Sequence, residues 1–249
     1  MIRLVVSGCC GKMGKRILAL ASKNSEFEVC GALERGSHPD LGKKVSTCLG
    51  LANIKATITD NLEVINKAEV LIEFTTPAAT MEHLNSALKY KKPMVIGSTG
   101  LDEQQLQKIQ QACAYIPIVY SPNMSLGVNL LFRIASETAK RLGDQYKVDI
   151  IEAHHVHKKD SPSGTAKRLS EIIVNSGPWK KGEIPIKSVR EDEIVGDHQV
   201  RFDGPDDTIT MRHSAKTRDI FVQGALQAAK FLVDKSPGLY GMQNVIEDK

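Results

Sequence analysis

The sequence predicts an α/β protein, an open parallel sheet wrapped by helices, followed by a smaller α+β region with an open mixed sheet. Three observations carry this. Short β-branched runs alternate with helical spacings through the first half of the chain. A glycine-rich turn joins the first run to the first helix. The alternation then changes character after Ser121-Pro122-Asn123.

In order along the chain, strands are predicted at Ile2–Ser7, Phe27–Leu33, Lys55–Ile58, Val70–Phe74, Pro93–Gly97 and Ile116–Ser121. Between them, Met13, Ile17, Leu20 and Ala21 fall at i, i+4, i+7 and i+8, and Met81, Leu84 and Leu88 at i, i+3 and i+7, each the stripe of an amphipathic helix. Pro77 suits a first helical position. Asp102 with Gln105 three residues on is a capping-box arrangement, opening a helix through Leu106, Ile109 and Cys113. Past the junction, Leu131, Ile134, Ala135, Thr138 and Leu142 mark a long helix, followed by a strand at Val148–Ala153. Ile184–Val189, His198–Phe202 and Thr208–His213 alternate like strands of an open sheet. Helical spacing resumes at Val222, Leu226, Ala229 and Val233 and stops at Pro237-Gly238. The expected organisation is a first domain, 1–125, completed by 218–249, and a second domain, 126–217.

Length and composition agree with one or two globular domains. The longest uncharged stretch, Ile109 to Phe132, is interrupted by Gln110, Gln111, Pro117, Pro122 and Asn123, so no membrane span is expected. Five cysteines without a Cys-x-x-Cys pair neither staple a secreted fold nor build a zinc ribbon, and no export signal is visible; a cytoplasmic location is expected. The net charge of +4 is spread among both signs, which speaks against a nucleic-acid partner and leaves room for an anionic small substrate.

The glycine turn reads Gly8-Cys9-Cys10-Gly11-Lys12-Met13-Gly14, spaced G-x-x-G-x-x-G between strand and helix. Residues without Cβ permit the tight turn, let backbone N–H groups approach a pyrophosphate, and let helix and strand pack closely. The second strand ends in Glu34-Arg35. Glu34 suits the ribose hydroxyls of NADH and Arg35 the 2′-phosphate of NADPH, so use of either cofactor is expected. Gly97-Ser98-Thr99-Gly100 and Ser121-Pro122-Asn123-Met124 follow later strands, where such sheets bind ligands.

The densest chemistry is Glu152-Ala153-His154-His155-Val156-His157-Lys158, running through Asp160 to Ser163-Gly164-Thr165-Ala166. Ser163 reads as a helix N-cap, with Gly164 and Thr165 offering an amide-lined anion site beside imidazoles and a lysine. His155 and His157, at i and i+2, would share a strand face, a metal pair lacking an evident third ligand; no metal is expected. Gly127 reads either as a hinge or as a glycine needed for close packing.

These motifs, with Pro122-Asn123-Met124-Ser125-Leu126-Gly127, resemble the 4-hydroxy-tetrahydrodipicolinate reductase family over essentially the whole chain. The resemblance implies a Rossmann-like dinucleotide-binding domain, a substrate-binding and oligomerisation domain, and a cytoplasmic homotetramer. It also implies reduction of a cyclic dicarboxylate by NADH or NADPH in diaminopimelate and lysine biosynthesis, with neither nucleic acid nor membrane as partner. Carried over residue by residue, it makes His154 the catalytic acid/base and Lys158 the proton donor, and assigns His155, Gly164 and Thr165 to substrate carboxylate, with Ser163 beside them. Cofactor contacts fall on Gly8, Cys9, Cys10, Gly11, Lys12, Met13, Glu34, Arg35, Gly97, Ser98, Thr99, Ser121, Pro122, Asn123 and Met124. Lys12 stands where many members have Arg, Cys9-Cys10 replace a commoner small pair, and the chain is short after Gly177.

Overall fold

The computed structural model of the protein describes residues 1–248; Lys249, the end of the expected segment 218–249, lies outside the described residues. The chain divides into two compact units, one formed by Met1–Met124 together with Phe221 onward, the other by Ser125–Ile220.

The first unit begins with β1 (Ile2–Ser7), α1 (Lys12–Ala21), β2 (Phe27–Leu33), α2 (Val45–Leu49), β3 (Ile58–Thr59) and β4 (Val70–Glu73). It continues through α3 (Pro77–Tyr90), β5 (Met94–Ile96), α4 (Glu103–Ala112) and β6 (Pro117–Tyr120). The second holds α5 (Leu126–Leu142), β7 (Lys147–His154), α6 (Gly164–Ser176), β8 (Ile186–Arg190), β9 (Asp197–Asp203) and β10 (Thr208–Ser214). The chain closes with α7 (Asp219–Leu232), β11 (Gly238–Tyr240) and α8 (Met242–Glu247).

The first sheet runs β11-β6-β5-β4-β1-β2-β3, with every pairing parallel. Leu4, Val5, Val6, Leu71, Ile72, Val95 and Ile96 are fully buried, as expected of strands covered on both faces. Helix signals read from sequence are present in space: Thr76 caps α3 with Pro77 in its first turn, and Asp102 and Gln105 form a reciprocal capping box on α4.

Two expectations need correction. The strand expected at Lys55–Ile58 is only the two-residue β3, because the 55–57 backbone bonds to the preceding loop (Val45 N–H to Ala56 C=O, 2.9 Å) instead of to β2. Pro237-Gly238 does not stop a helix, since the preceding helix ends at Leu232 and leaves Val233 outside it; Gly238–Tyr240 instead add a parallel edge strand beside β6, too short to show a period.

The second sheet runs β10-β9-β7-β8, with β7 and β8 parallel and the rest antiparallel. Alternate residues of β7 are buried against α5 and α6, in a core with Val148, Ile150, Val200, Phe202, Leu131, Ala135, Leu169 and Ile173. The period of two does not stop where the apolar residues do. Glu152 and His154 continue the inward face of β7, and His198 continues that of β9 in register with Glu152. One end of this core is therefore built from ionisable groups.

Candidate active site

Glu152 is fully buried at that polar end. One of its oxygens accepts bonds from Arg190 Nη2 (2.8 Å) and the Ser163 backbone N–H (3.3 Å), and the other pairs with His154 Nδ1. Burial works against its ionisation, but the bonds from Arg190 and His154 outweigh it, and its pKa is lowered. His154 is buried too. Burial holds its pKa below the usual histidine value, aided by the nearby Lys158 and Arg190 charges, although Glu152 pulls the other way. His154 is therefore neutral near pH 7, with Nδ1–H donated to Glu152 and Nε2 left as an acceptor. Gly196 leaves room for that nitrogen: a Cβ there would lie 3.0 Å from it.

The loop after β7 brings the remaining groups to this end of the unit. Lys158 is ion-paired with Asp160 (2.8 Å), which holds the Asp160 carboxyl below its ordinary range. Arg190 Nη2 also donates to the Asp160 carbonyl (2.6 Å), tying the loop to β8. Ser163 caps α6 by accepting the Ala166 N–H (3.2 Å), and its hydroxyl also meets His198 Nε2 (3.1 Å). His198 is pushed down to about 4, chiefly by burial and then by His154, whose ring it meets edge-on. Gly164 and Thr165 form the first turn of α6. Outside its own helix backbone and chain neighbours, no atom of the chain lies within 4 Å of a Cβ built on Gly164, so packing does not demand this glycine.

His155 and His157 do not share a strand face. β7 ends at His154, and Lys158 N–H turns back to the His155 carbonyl (3.1 Å). His155 Nε2 approaches Arg218 (3.5 Å), and His157 is exposed beside Glu193. The compact donor group in this region is Glu152, His154 and His198, whose ligand atoms lie within 4.8 Å of one another. Arg190 already donates to the Glu152 carboxylate there, so a cation would enter beside a guanidinium. Glu152, Arg190 and His198 received no role from the sequence. For Glu152 and His198 the available signal was their phase with Val148, Ile150, Val200 and Phe202.

In the first unit, the glycine turn, Glu34-Arg35, Thr75–Pro77, Gly97–Thr99 and Ser121–Met124 all follow carboxyl ends of parallel strands, with β1 between β2 and β4. Gly8 has φ +64°, and a Cβ there would meet Thr75 Cγ2 at 2.9 Å and the Phe74 carbonyl at 3.0 Å. A Cβ on Gly14 would lie 2.1 Å from the Gly8 carbonyl oxygen. Gly11 starts α1 with no side-chain cap, and Lys12 and Met13 make its first turn. Glu34 lies over the turn, accepting from Cys10 N–H (2.9 Å) and Arg35 N–H (3.1 Å). Arg35 is exposed. A tight glycine turn at an uncapped helix start, beside an acid ending β2, fits a dinucleotide's pyrophosphate and ribose.

Other expected contacts face inward. Cys9 and Met124 are buried, and burial raises the Cys9 thiol pKa far above its usual value. Ser98 is also buried and its hydroxyl accepts from Thr75 N–H and meets Thr80 Oγ1, so only its backbone is available to a ligand. Ser121 closes its own turn with Asn123, around Pro122 (2.7 Å). Gly127 is explained by packing: a Cβ there would lie 2.8 Å from the His213 ring.

Residues 2–124 match the family model for the N-terminus of dihydrodipicolinate reductase, and residues 127–246 the model for its C-terminus. The chain is 40% identical to a 4-hydroxy-tetrahydrodipicolinate reductase of Geotalea uraniireducens and 39% to that of Geobacter metallireducens, each over 99% of both chains. Its structure is similar to a dipicolinate-bound dihydrodipicolinate reductase from Paenisporosarcina sp. TG-14, at 27% identity, TM-score 0.82 and 97% coverage of both chains. An aspartate dehydrogenase of Thermotoga maritima, at 14% identity and TM-score 0.53, shares the fold alone. With both halves matched and full-length relatives near 40% identity, the chain belongs to the dihydrodipicolinate reductase family.

Proposed function

We propose that this protein reduces 4-hydroxy-tetrahydrodipicolinate to tetrahydrodipicolinate, with NADH or NADPH as reductant and loss of one water, in diaminopimelate and L-lysine biosynthesis. In balance, the hydroxy-imine, NAD(P)H and one proton yield the reduced ring, NAD(P)⁺ and water. The observation that carries the reading is the buried Glu152–His154 pair set at the same polar end of the second unit as Lys158 and the start of α6.

The bound reduced dinucleotide supplies a hydride. The chain's own residues do the rest. Glu152 holds His154 in the tautomer that presents Nε2 to a proton, and Lys158 carries the proton to be delivered. The amide start of α6, at Gly164 and Thr165, takes a substrate carboxylate with His155 beside it, where the helix dipole favours an anion. Cationic groups aimed at charge that develops on the ring stabilise the transition state more than the ground state, the condition for a gain in kcat. In the first unit the Gly8–Met13 turn takes the pyrophosphate. Glu34 takes the ribose hydroxyls and Arg35 the 2′-phosphate when one is present. Gly97–Thr99 and Ser121–Met124 serve the nicotinamide end. The protein works as a cytoplasmic homotetramer without a metal.

The test is an assay of freshly generated hydroxy-tetrahydrodipicolinate with NADH and NADPH in parallel. Substrate-dependent oxidation of both, unchanged after dialysis against a chelator, is the expected result. No substrate-dependent oxidation overturns the activity. Loss of rate on chelation, restored by a divalent cation, overturns the metal-free reading. A four-chain species of the 27.3 kDa subunit in sedimentation checks the assembly.

A further inference from the structure

Glu73 is the last residue of β4, completely buried, and has no part in the chemistry above. A carboxyl group taken fully out of water is costly unless its oxygens are matched by donors. Here the match is unusually full. One oxygen is paired with Ser7 Oγ and with His83 Nδ1 (2.6 Å). The other accepts from Thr75 Oγ1 and from Thr80 Oγ1 (3.3 Å). Thr80 Oγ1 also meets Ser98 Oγ (2.9 Å), which accepts the Thr75 backbone N–H (3.0 Å).

The positions of these partners matter more than their number. Ser7 ends β1 and immediately precedes Gly8. Thr75 opens the loop after β4, and its methyl group would touch a Cβ on Gly8. Ser98 lies in the loop after β5, next to Gly97, whose own Cβ would collide with Phe74. A single carboxyl group, braced from α3 by His83 and Thr80, therefore ties together the carboxyl ends of three neighbouring strands. Those ends carry the glycine turn and the loop proposed for the nicotinamide end.

We propose that Glu73, with His83 as its buried hydrogen-bond partner, is the positioning residue of the dinucleotide cradle. It sets the spacing between the loop after β1 and the loop after β5 without touching the cofactor. This rests on the reading that the first unit binds a dinucleotide. It also predicts where the effect falls. NADH and NADPH share the pyrophosphate and nicotinamide, so both lose affinity equally, whereas a change at Arg35 alters their ratio.

Glu73→Gln keeps the shape but exchanges one acceptor for an NH2 donor, so the groups on that side must turn to accept from it or lose their partner. The expected result is a roughly tenfold rise in Kd and KM for both dinucleotides, with kcat at saturating cofactor within about twofold of wild type. A residue serving only the fold would lower the melting temperature and leave cofactor Kd of the folded protein unchanged. His83→Gln, which removes the imidazole partner but leaves Glu73, is the milder variant should Glu73→Gln not fold, with the same direction and a smaller rise. Wild-type Kd values in either folded variant overturn the inference while the dinucleotide reading stands. Failure of the wild type to bind either dinucleotide overturns the reading, and the inference with it.

Discussion

Each unit buries a glutamate paired through one carboxylate oxygen with Nδ1 of a histidine: Glu73 with His83 in the first, Glu152 with His154 in the second. Both glutamates are fully buried and both histidines nearly so. The two imidazoles nevertheless shift in opposite directions. Burial works against a charged His83, but Glu73 outweighs it and the pKa is raised. His154 stays lowered, chiefly because burial outweighs the pull of Glu152, with the Lys158 and Arg190 charges adding to it. The pair alone does not decide its chemistry; its burial and the charges around it do. Neutral hydroxyls around Glu73 make a brace, whereas burial beside cations leaves His154 a free base.

The largest effect that separates the two pairs is on turnover. His154→Gln and Lys158→Ala should each lower kcat by about 10²–10⁴-fold, the usual worth of a positioned acid or base. The same exchange at His83 should leave kcat at saturating dinucleotide within about twofold and act on cofactor KM instead. Steady-state kinetics with both substrates varied checks this. A kcat within threefold of wild type for His154→Gln and Lys158→Ala would remove the catalytic assignment.

A smaller effect concerns stability against pH, where the two regions should differ in sign. His198 titrates near 4 when folded and near 6.5 when unfolded. The unfolded chain therefore binds more protons between those values. The stability that His198 contributes is fully present above about pH 6.5 and is lost as pH falls toward 4, a loss on the order of 3 kcal/mol. For His83 the folded pKa is raised, so its contribution is present below about 6.5 and lost as pH rises through the folded value. Protection factors of the β7 amides around Val148 and Ile150, taken relative to intrinsic exchange at each pH, should fall on acidification to pH 4.5 while those of β4 change much less. His198→Gln should flatten the response of β7, and an unchanged acid dependence in that variant would assign it to other groups.

How much of this was legible in the sequence differs along the same line. The parallel sheet, the glycine turn, the caps of α3 and α4 and the role of Ser163 at α6 were readable, because each rests on local spacing. His154 and Lys158 stood out as part of a dense cluster. Glu152 and His198 did not, although both keep strict phase with apolar neighbours, since a polar residue on an inward face looks like the end of a strand until the partner strand is known. Glu73 was hidden for a related reason. It ends an apolar run, and its partners Ser7, Thr80 and His83 lie up to 66 residues away in sequence. The edge strands β3 and β11, two and three residues long, carry too few positions for any period.

The smallest predicted effect tests whether the second region's polar end is a ligand site or only a well-capped helix. Gly8 and Gly14 of the first unit's turn are held by the protein itself: a Cβ on Gly14 would overlap the Gly8 backbone, so Gly14→Ala must disturb the turn. Outside its own helix backbone and chain neighbours, a Cβ on Gly164 would meet nothing within 4 Å, and as the first residue of α6 Gly164 has a helical backbone that any residue adopts. Gly164→Ala should therefore change stability by no more than about 0.5 kcal/mol, as for an unhindered surface exchange. If the start of α6 takes a substrate carboxylate, the added methyl group stands where that ligand must approach, and substrate KM rises while cofactor KM does not. Unchanged melting with unchanged substrate KM would leave Gly164 no role in binding, and the carboxylate site would have to be sought elsewhere in the second unit.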